Sequence, residues 1–465
     1  MEKPLNPVVP EGRVDSGTNL QKVVARNRAS GKGGVYAVCS AHPWVIDAAI
    51  LQATENDAVL HVESTSSQVN QLGGYTGQTP SQFAEFVRSA ARRMGFPSDR
   101  ILLGGDHLGP FPWKGEASDR ALEKARELVR ACVLAGYVKI HLDASMACAD
   151  DAKPLSESVV AQRAALLCEA AEEAWKELPH GAAPPLYVIG TEVPAPGGES
   201  ASGSAPIVTT ADGLHNTLQI FQDAFDRKGL PGAWQRVVGV VVQPGVEFGD
   251  DVVFEYDRNM TSLLSAGLPG SPALVYEAHS TDYQPPSALA QMVEDHFAIL
   301  KVGPWLTFAF REAVFALSAI ERELLAGKKN QRLSQVREVL DQAMLRDPSH
   351  WSSYYHGDEN QLRLSRAYSY SDRCRYYWHE PAVQAEIDRL LDNLRTHSFP
   401  LPLVSQYLPQ EYEAIRGGLL DAQPEAIIRY HIQLVLRVYA TACGMKQNKL
   451  SLSSGGILRP AARSL

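Results

Sequence analysis

The chain has 465 residues, a formal net charge of -9 and 45% hydrophobic residues, enough for a large core. The acidic balance argues against nucleic acid or an anionic membrane as the main partner. No run of about 18 apolar residues offers a membrane span, and the N-terminus lacks the basic and apolar regions of a secretion signal, so a cytoplasmic location is expected.

In chain order, eight apolar, β-branched runs predict strands at Val35–Cys39, Ala58–Glu63, Ile101–Asp106, Tyr137–Asp143, Leu186–Glu192, Val237–Gln243, Ala273–His279 and Phe297–Gly303. Between them, helical periodicity marks a stretch from near Pro43, then Ser81–Met94, Asp119–Ala135, Glu157–Glu177, Thr210–Lys228, Tyr256–Leu268 and Ser287–His296. Strands alternating with helices predict a parallel sheet, and eight units allow closure into an α/β (β/α)8 TIM barrel over 1–303, with a helical lead-in. An open doubly wound sheet would need a glycine-rich turn after the first strand, where Cys39-Ser40-Ala41-His42-Pro43 stands instead. From 304 to 465 the pattern changes to helices at Leu306–Leu325, Leu333–Leu345, Ala382–Leu394 and Gln423–Cys443, an extension expected to pack on the barrel, with a glycine- and serine-bearing tail at 448–465. The six scattered cysteines, without CxxC spacing, predict buried free thiols.

Polar chemistry gathers where the predicted strands end, as in barrel active sites. After the second strand, Glu63, Asn70 and Gln71 lie in a hydroxyl- and amide-rich stretch suited to sugar hydroxyls, with an ordinary polar loop as the alternative. At the third, Asp106 and His107 precede Gly109-Pro110; a helix cap and a surface histidine are the alternative. Neighbours on a strand face opposite ways, so both serve one site only if the strand ends between them. Lys139, His141 and Asp143 share one face of the fourth strand, and Asp143, outermost, is the second candidate for acid–base work. Glu192 ends the fifth strand and His279 the seventh. His107, Glu192 and His279 together offer two imidazoles and a carboxylate, a set that holds a divalent metal (zinc, manganese or nickel) with a position left open. Lys301, inside the eighth strand, is a phosphate contact or paired charge, or else a Schiff-base lysine. Arg373, in the run from Tyr368 to Trp378, has the planar fork that matches a phosphate; an aromatic packing patch is the alternative.

The motifs Gly104-Gly105-Asp106-His107-Leu108-Gly109-Pro110, Lys139-Ile140-His141-Leu142-Asp143-Ala144-Ser145-Met146, Ile189-Gly190-Thr191-Glu192-Val193-Pro194, Val242-Gln243-Pro244-Gly245-Val246-Glu247-Phe248-Gly249 and Tyr370-Ser371-Asp372-Arg373 resemble those of the GatZ/KbaZ family, from about Gly31 to about Tyr439. That resemblance implies a barrel like that of class II aldolases, in which the Asp106-His107 pair would move protons and bind zinc, although Glu192 would stand where an aldolase has histidine. It also implies three functions: an accessory partner of the catalytic subunit of class II D-tagatose-1,6-bisphosphate aldolase, a tagatose 6-phosphate kinase, or a 4-epimerase of ketohexoses or their 6-phosphates. The kinase reading finds no GxxxxGK[ST] loop, since Gly31-Lys32-Gly33-Gly34 precedes a strand rather than following one, so no nucleotide is expected. The clustered acids and imidazoles suit the epimerase: metal-assisted retro-aldol cleavage and re-addition, or direct proton transfer at C4, acting on a phosphorylated ketohexose with Asp106, Asp143 and Glu192 as proton carriers. A homo-oligomer is compatible with this reading.

Overall fold

The closed sheet begins with β1 (Val35–Cys39), β2 (Leu60–Thr65), β3 (Ile101–Leu108), β4 (Lys139–Leu142), β5 (Leu186–Ile189) and β6 (Val237–Val241). A short antiparallel hairpin, β7 (Glu247–Phe248) and β8 (Val253–Phe254), then precedes the last two barrel strands, β9 (Val275–Ala278) and β10 (Ile299–Val302). β1 pairs in parallel with both β2 and β10, which closes the eight strands into a barrel in the order β1-β10-β9-β6-β5-β4-β3-β2. This computed structural model describes residues 16–191, 206–269, 273–328 and 331–446, with the pairs 450–451 and 459–460. Most of the tail expected at 448–465, and Glu192, lie outside the described residues. The barrel strands coincide with the eight apolar runs, with small displacements at their ends.

The strands are buried on both faces because helices cover the outside and side chains fill the inside. At the N-terminal end, Leu20 and Val24 of α1 (Ser16–Ser30) pack on Val35, Leu102, Leu186, Val275 and Ile299, so this helix plugs the barrel floor. Above that apolar layer the interior is polar, with His61 and the charged Glu63, Lys139 and Glu277 all buried.

The outer ring contains α2 (Pro43–Glu55), α3 (Pro80–Arg93), α4 (Ser118–Leu134), α5 (Glu157–Lys176), α6 (Ala211–Arg227), the one-turn α7 (Pro231–Trp234), α8 (Arg258–Gly267) and α9 (Pro286–Glu294). After β10, α10 (Pro304–Leu324) leads into α11 (Val336–Arg346), α12 (Glu359–Tyr368), α13 (Pro381–Arg395), α14 (Leu401–Tyr407), α15 (Pro409–Arg416) and α16 (Pro424–Ala442). The final helix returns to the barrel. α16 packs on α2, α9 and α10 and touches β1, burying Ile427, Ile428, Ile432, Leu436 and Tyr439. It thereby fills the outer-ring position between the helices that follow β1 and β9. Sequence periodicity missed α12, α14 and α15; α14 and α15 are short, and α12 buries only Arg366. The Asp358/Gln361 capping box before α12 was the available signal. All six cysteines are free, and no helix among the described residues is long and apolar enough to cross a membrane.

β3 bends where the site begins. Its register against β4 runs Gly105↔Ile140 and then Leu108↔Leu142, so β3 carries one extra residue there, a bulge. His107 takes a left-handed φ of 47° within it. Just beyond, a Cβ on Gly109 would lie 1.5 Å from the Asp143 carbonyl oxygen, so only glycine permits this approach of the β3 and β4 ends. Gly109→Ala is therefore expected to cost more than about 4 kcal/mol, read as a fall in the urea midpoint or failure to accumulate folded protein.

The return of α16 is held partly by charge. His431 Nδ1 lies 2.8 Å from Glu411 of α15, and its Nε2 lies 3.3 Å from Glu312 of α10. Burial alone would depress this imidazole, but hydrogen bonds to the two carboxylates raise its pKa to about 9. A raised folded-state pKa adds stability that is complete below the unfolded value of about 6.5 and is lost as pH rises through about 9. Because Glu312 is exposed, the gain is about 1–2 kcal/mol. Thermal denaturation of His431→Gln should show a smaller loss of Tm between pH 6 and pH 10 than the native chain.

Candidate active site

The C-terminal mouth of the barrel opens into a cavity of about 970 Å³. Asp106 and His107 both line it. The strand does not end between them, as the sequence reading required; β3 continues to Leu108, and the bulge with its left-handed residue turns both side chains to the mouth. The His107 ring is then fixed by its Nδ1, 2.8 Å from Asp143 Oδ2, while its Nε2 sits 3.8 Å from Asp106 Oδ2. The second oxygen of Asp143 accepts from the Ser145 amide and hydroxyl.

Beside this pair, ligand-type atoms of Asp106, His141, Glu277 and His279 all lie within 4.8 Å of one another. Asp106 Oδ1 is 3.0 Å from His141 Nδ1 and 3.9 Å from His279 Nε2, which is itself 3.1 Å from Glu277 Oε1. The rings of His107, His141 and His279 have centroids 4.8–5.3 Å apart. Two imidazoles and two carboxylates make a donor set suited to zinc, manganese or nickel. The buried His141 Nε2 has no hydrogen-bond partner among the described residues, a further sign that the residues fit an ion. Of the three metal candidates read from sequence, His279 belongs to this group. His107 stands next to it, its Nδ1 engaged by Asp143. His141 and Glu277 were missed as ligands, although each sits two residues from a chosen residue on the same strand face, Asp143 and His279 respectively.

Below the group lies a ladder of paired charges. Lys139 Nζ is 2.7 Å from Glu63 and 2.6 Å from Glu277, and His61 Nε2 is 2.7 Å from Glu63. Lys301 pairs with Glu63 and lies 3.1 Å from Asp106 and 3.7 Å from Glu277. Burial raises Asp106, but His107, His279 and His141 outweigh it and hold this carboxyl well below the usual range. Burial likewise opposes the protonated form of His107, yet Asp106 and Asp143 raise it above an ordinary histidine. His279 is depressed by burial, and Lys301 is lowered to about 8 for the same reason.

The residues expected to bind substrate separate. Glu63 is fully buried in the ladder below the mouth, because its partners Lys139 and Lys301 draw it inward, and it does not line the cavity. Gln71 turns away and donates to the Lys124 carbonyl. Asn70 reaches the lining, but its amide holds the loop together through the Ser66 carbonyl and the Leu72 and Gly74 amides. Lys301 lines the cavity, as does Arg373.

Arg373 comes from the segment between α12 and α13, which forms the opposite wall. Asp372 anchors that segment through Thr307 at 2.6 Å, and Asp250 of the β7–β8 hairpin receives hydrogen bonds from Ser369 and the Tyr370 amide. Arg373 donates to the His350 carbonyl and stacks on Tyr354, 3.0 Å from the ring centroid. Arg375, the second arginine of the same run, lines the wall beside it and donates to the Tyr376 hydroxyl at 2.8 Å.

Residues 20–444 match the family described as D-tagatose-1,6-bisphosphate aldolase subunit GatZ/KbaZ-like. In structure the chain is similar to a probable tagatose 6 phosphate kinase from Sinorhizobium meliloti 1021, with 43% identity, coverage of 88% of this chain and 100% of that one, and a TM-score of 0.80. It has a remote likeness to a fructose-bisphosphate aldolase from Campylobacter jejuni, with 12% identity, coverage of 82% and 93%, and a TM-score of 0.42. A similar likeness links it to a fructuronate-tagaturonate epimerase from Cohnella laeviribosi, with 12% identity, coverage of 90% and 82%, and a TM-score of 0.44. Those two are too distant to bear on its chemistry. The match across residues 20–444, joined to a relative of 43% identity, establishes that the chain belongs to the GatZ/KbaZ-like family.

Proposed function

We propose that the chain is a ketohexose-phosphate 4-epimerase, interconverting D-tagatose 6-phosphate and D-fructose 6-phosphate. The observation that carries this reading is a single cavity whose floor holds Asp106, His107 and His279 and whose far wall holds Arg373 and Arg375. Its two ends suit the carbonyl and the phosphate of one six-carbon substrate.

A divalent ion held by His141, Glu277, His279 and Asp106 would supply Lewis-acid polarisation of the C2 carbonyl. The C4–H bond is not adjacent to that carbonyl and is not acidified by it, whereas the C3–C4 bond is the one that a C2 carbonyl activates. The retro-aldol route therefore fits better than direct proton removal at C4. Asp106 Oδ2, turned toward Cys39 and His107, accepts the C4 hydroxyl proton as the C3–C4 bond breaks into an aldehyde and a three-carbon enediolate. The aldehyde rotates, C3 re-adds to its other face, and Asp106 returns the proton to the C4 oxygen, so no co-reactant is consumed. His107, oriented by Asp143, supports the charge on Asp106. Arg373 and Arg375 hold the phosphate during the rotation, and Lys301 orients the oxygens near Asp106. Glu192, the remaining proton-carrier candidate, falls outside the described residues.

A second reading is favoured by the family description itself, which names an aldolase subunit: the chain would then support a separate class II catalytic subunit without turning over substrate. Assaying the purified chain with each ketose 6-phosphate and manganese or zinc distinguishes the two. Epimerisation by the chain alone supports our proposal. No turnover, together with stabilisation and activation of an added class II aldolase subunit, would replace it with the accessory role. ATP-dependent formation of the bisphosphate would restore the kinase reading.

Asp106→Asn keeps shape and loses the base, so kcat should fall by about 10²–10⁴-fold with the far-UV circular dichroism unchanged. Near-native turnover in that variant would transfer the proton role to another carboxylate. Arg373→Ala should raise KM for the phosphorylated sugar by about 10-fold or more while leaving any activity on free tagatose nearly unchanged. Equal losses on both substrates would remove Arg373 from the phosphate end.

A further inference from the structure

Lys301 occupies an unusual position. Its ammonium lies 3.1 Å from Asp106 Oδ1 and 3.7 Å from Glu277 Oε1 and also pairs with Glu63. Those two oxygens are the ones that face the imidazoles: Asp106 Oδ1 is 3.0 Å from His141, and Glu277 Oε1 is 3.1 Å from His279. The remaining oxygen of Glu277 and Oε1 of Glu63 are engaged by Lys139, which is buried in the barrel below. Three carboxylates thus meet two ammonium groups, one enclosed and one at the cavity edge. An ion entering the Asp106–His141–Glu277–His279 group would meet the Lys301 charge at the same oxygens. At such separations in a weakly screened interior, two cations repel strongly. Lys139 has no opening to move into, whereas Lys301 lines the cavity.

We infer that Lys301 is the resident counter-cation of this cluster, a positioning residue that neutralises Asp106 and Glu277 until a divalent ion displaces its ammonium into the cavity. The inference rests on the reading of the four-residue group as a metal site. It explains how three carboxylates can be buried together before any ion arrives, since unpaired they would destabilise the barrel. It also makes Lys301 the side chain that weakens ion binding and so limits which ions are retained. On displacement, the ammonium remains at the cavity edge, where an oxygen-rich ligand can take the place of the carboxylates.

The test is calorimetric titration of the metal-stripped full chain with manganese and with zinc, comparing the native protein with Lys301→Met and Lys301→Gln. Removal of the competing charge should tighten binding by about 10-fold or more in both variants. The Tm of the stripped variants should fall and should recover on adding metal by more than the native protein gains. Should the stripped variants fail to fold, the variants are purified with metal and its release to excess EDTA is timed; slower release than from the native protein is then expected. Equal or weaker binding, or faster release, with the native chain binding normally, overturns the role of Lys301 alone. If neither the native chain nor the variants bind either ion, the metal site itself falls, and this inference with it.

Discussion

The structure depends on a column of opposite charges inside a barrel that is otherwise apolar. An isolated carboxylate at the position of Glu63 or Glu277 could not remain ionised there, because leaving water costs far more than packing returns. Lys139 resolves this by touching both carboxylates, with His61 on the other side of Glu63. Even the backbone is shaped to admit them: a Cβ on Gly104 would lie 2.8 Å from the Glu63 side chain. With these groups paired, the next layer of ionisable groups, Asp106, His141, His279 and Lys301, stands on a fixed electrostatic floor.

That upper layer is aimed by backbone geometry rather than by side-chain choice alone. A regular β3 would send Asp106 and His107 to opposite faces. The extra residue between Gly105 and Leu108 brings both to the mouth, and the bare backbone at Gly109 lets β4 approach closely enough for Asp143 to hold the His107 ring. Strain at one residue, His107 with its positive φ, is the cost of putting an acid and an imidazole side by side.

The C-terminal helices serve both the fold and the cavity. α16 completes the outer ring against α2 and α9, while the segment around Asp372 lays arginine and aromatic side chains over the mouth. A cavity walled jointly in this way sets the acids and imidazoles of the barrel strands opposite the arginines of the extension. Neither half contains both. The aromatic contacts among Tyr75, His350 and Tyr376 knit the loop after β2 to the extension, so the two walls are held at a set separation.

The sequence by itself determined the barrel, because a strand buried on both faces must be written as a continuous apolar run, and eight such runs alternate with helical periodicity. It also marked Asp106, His107, Lys139, His141, Asp143, His279 and Lys301 in or at the ends of strands, since polar residues interrupt those runs visibly. It did not reveal which of them meet. Glu63 looked like the start of a polar loop, yet its partners Lys139 on β4 and Lys301 on β10 draw it into the interior. His141 and Glu277 joined the candidate ligand group only through the curvature that brings β3, β4 and β9 around one axis. Arg373 and Arg375 reach the cavity because Thr307 and Asp250, distant in sequence, anchor their segment over the mouth. These outcomes depend on strand order, one bulge and the packing of helices far apart in sequence, and distance across a closed barrel is a property that local residue patterns do not encode.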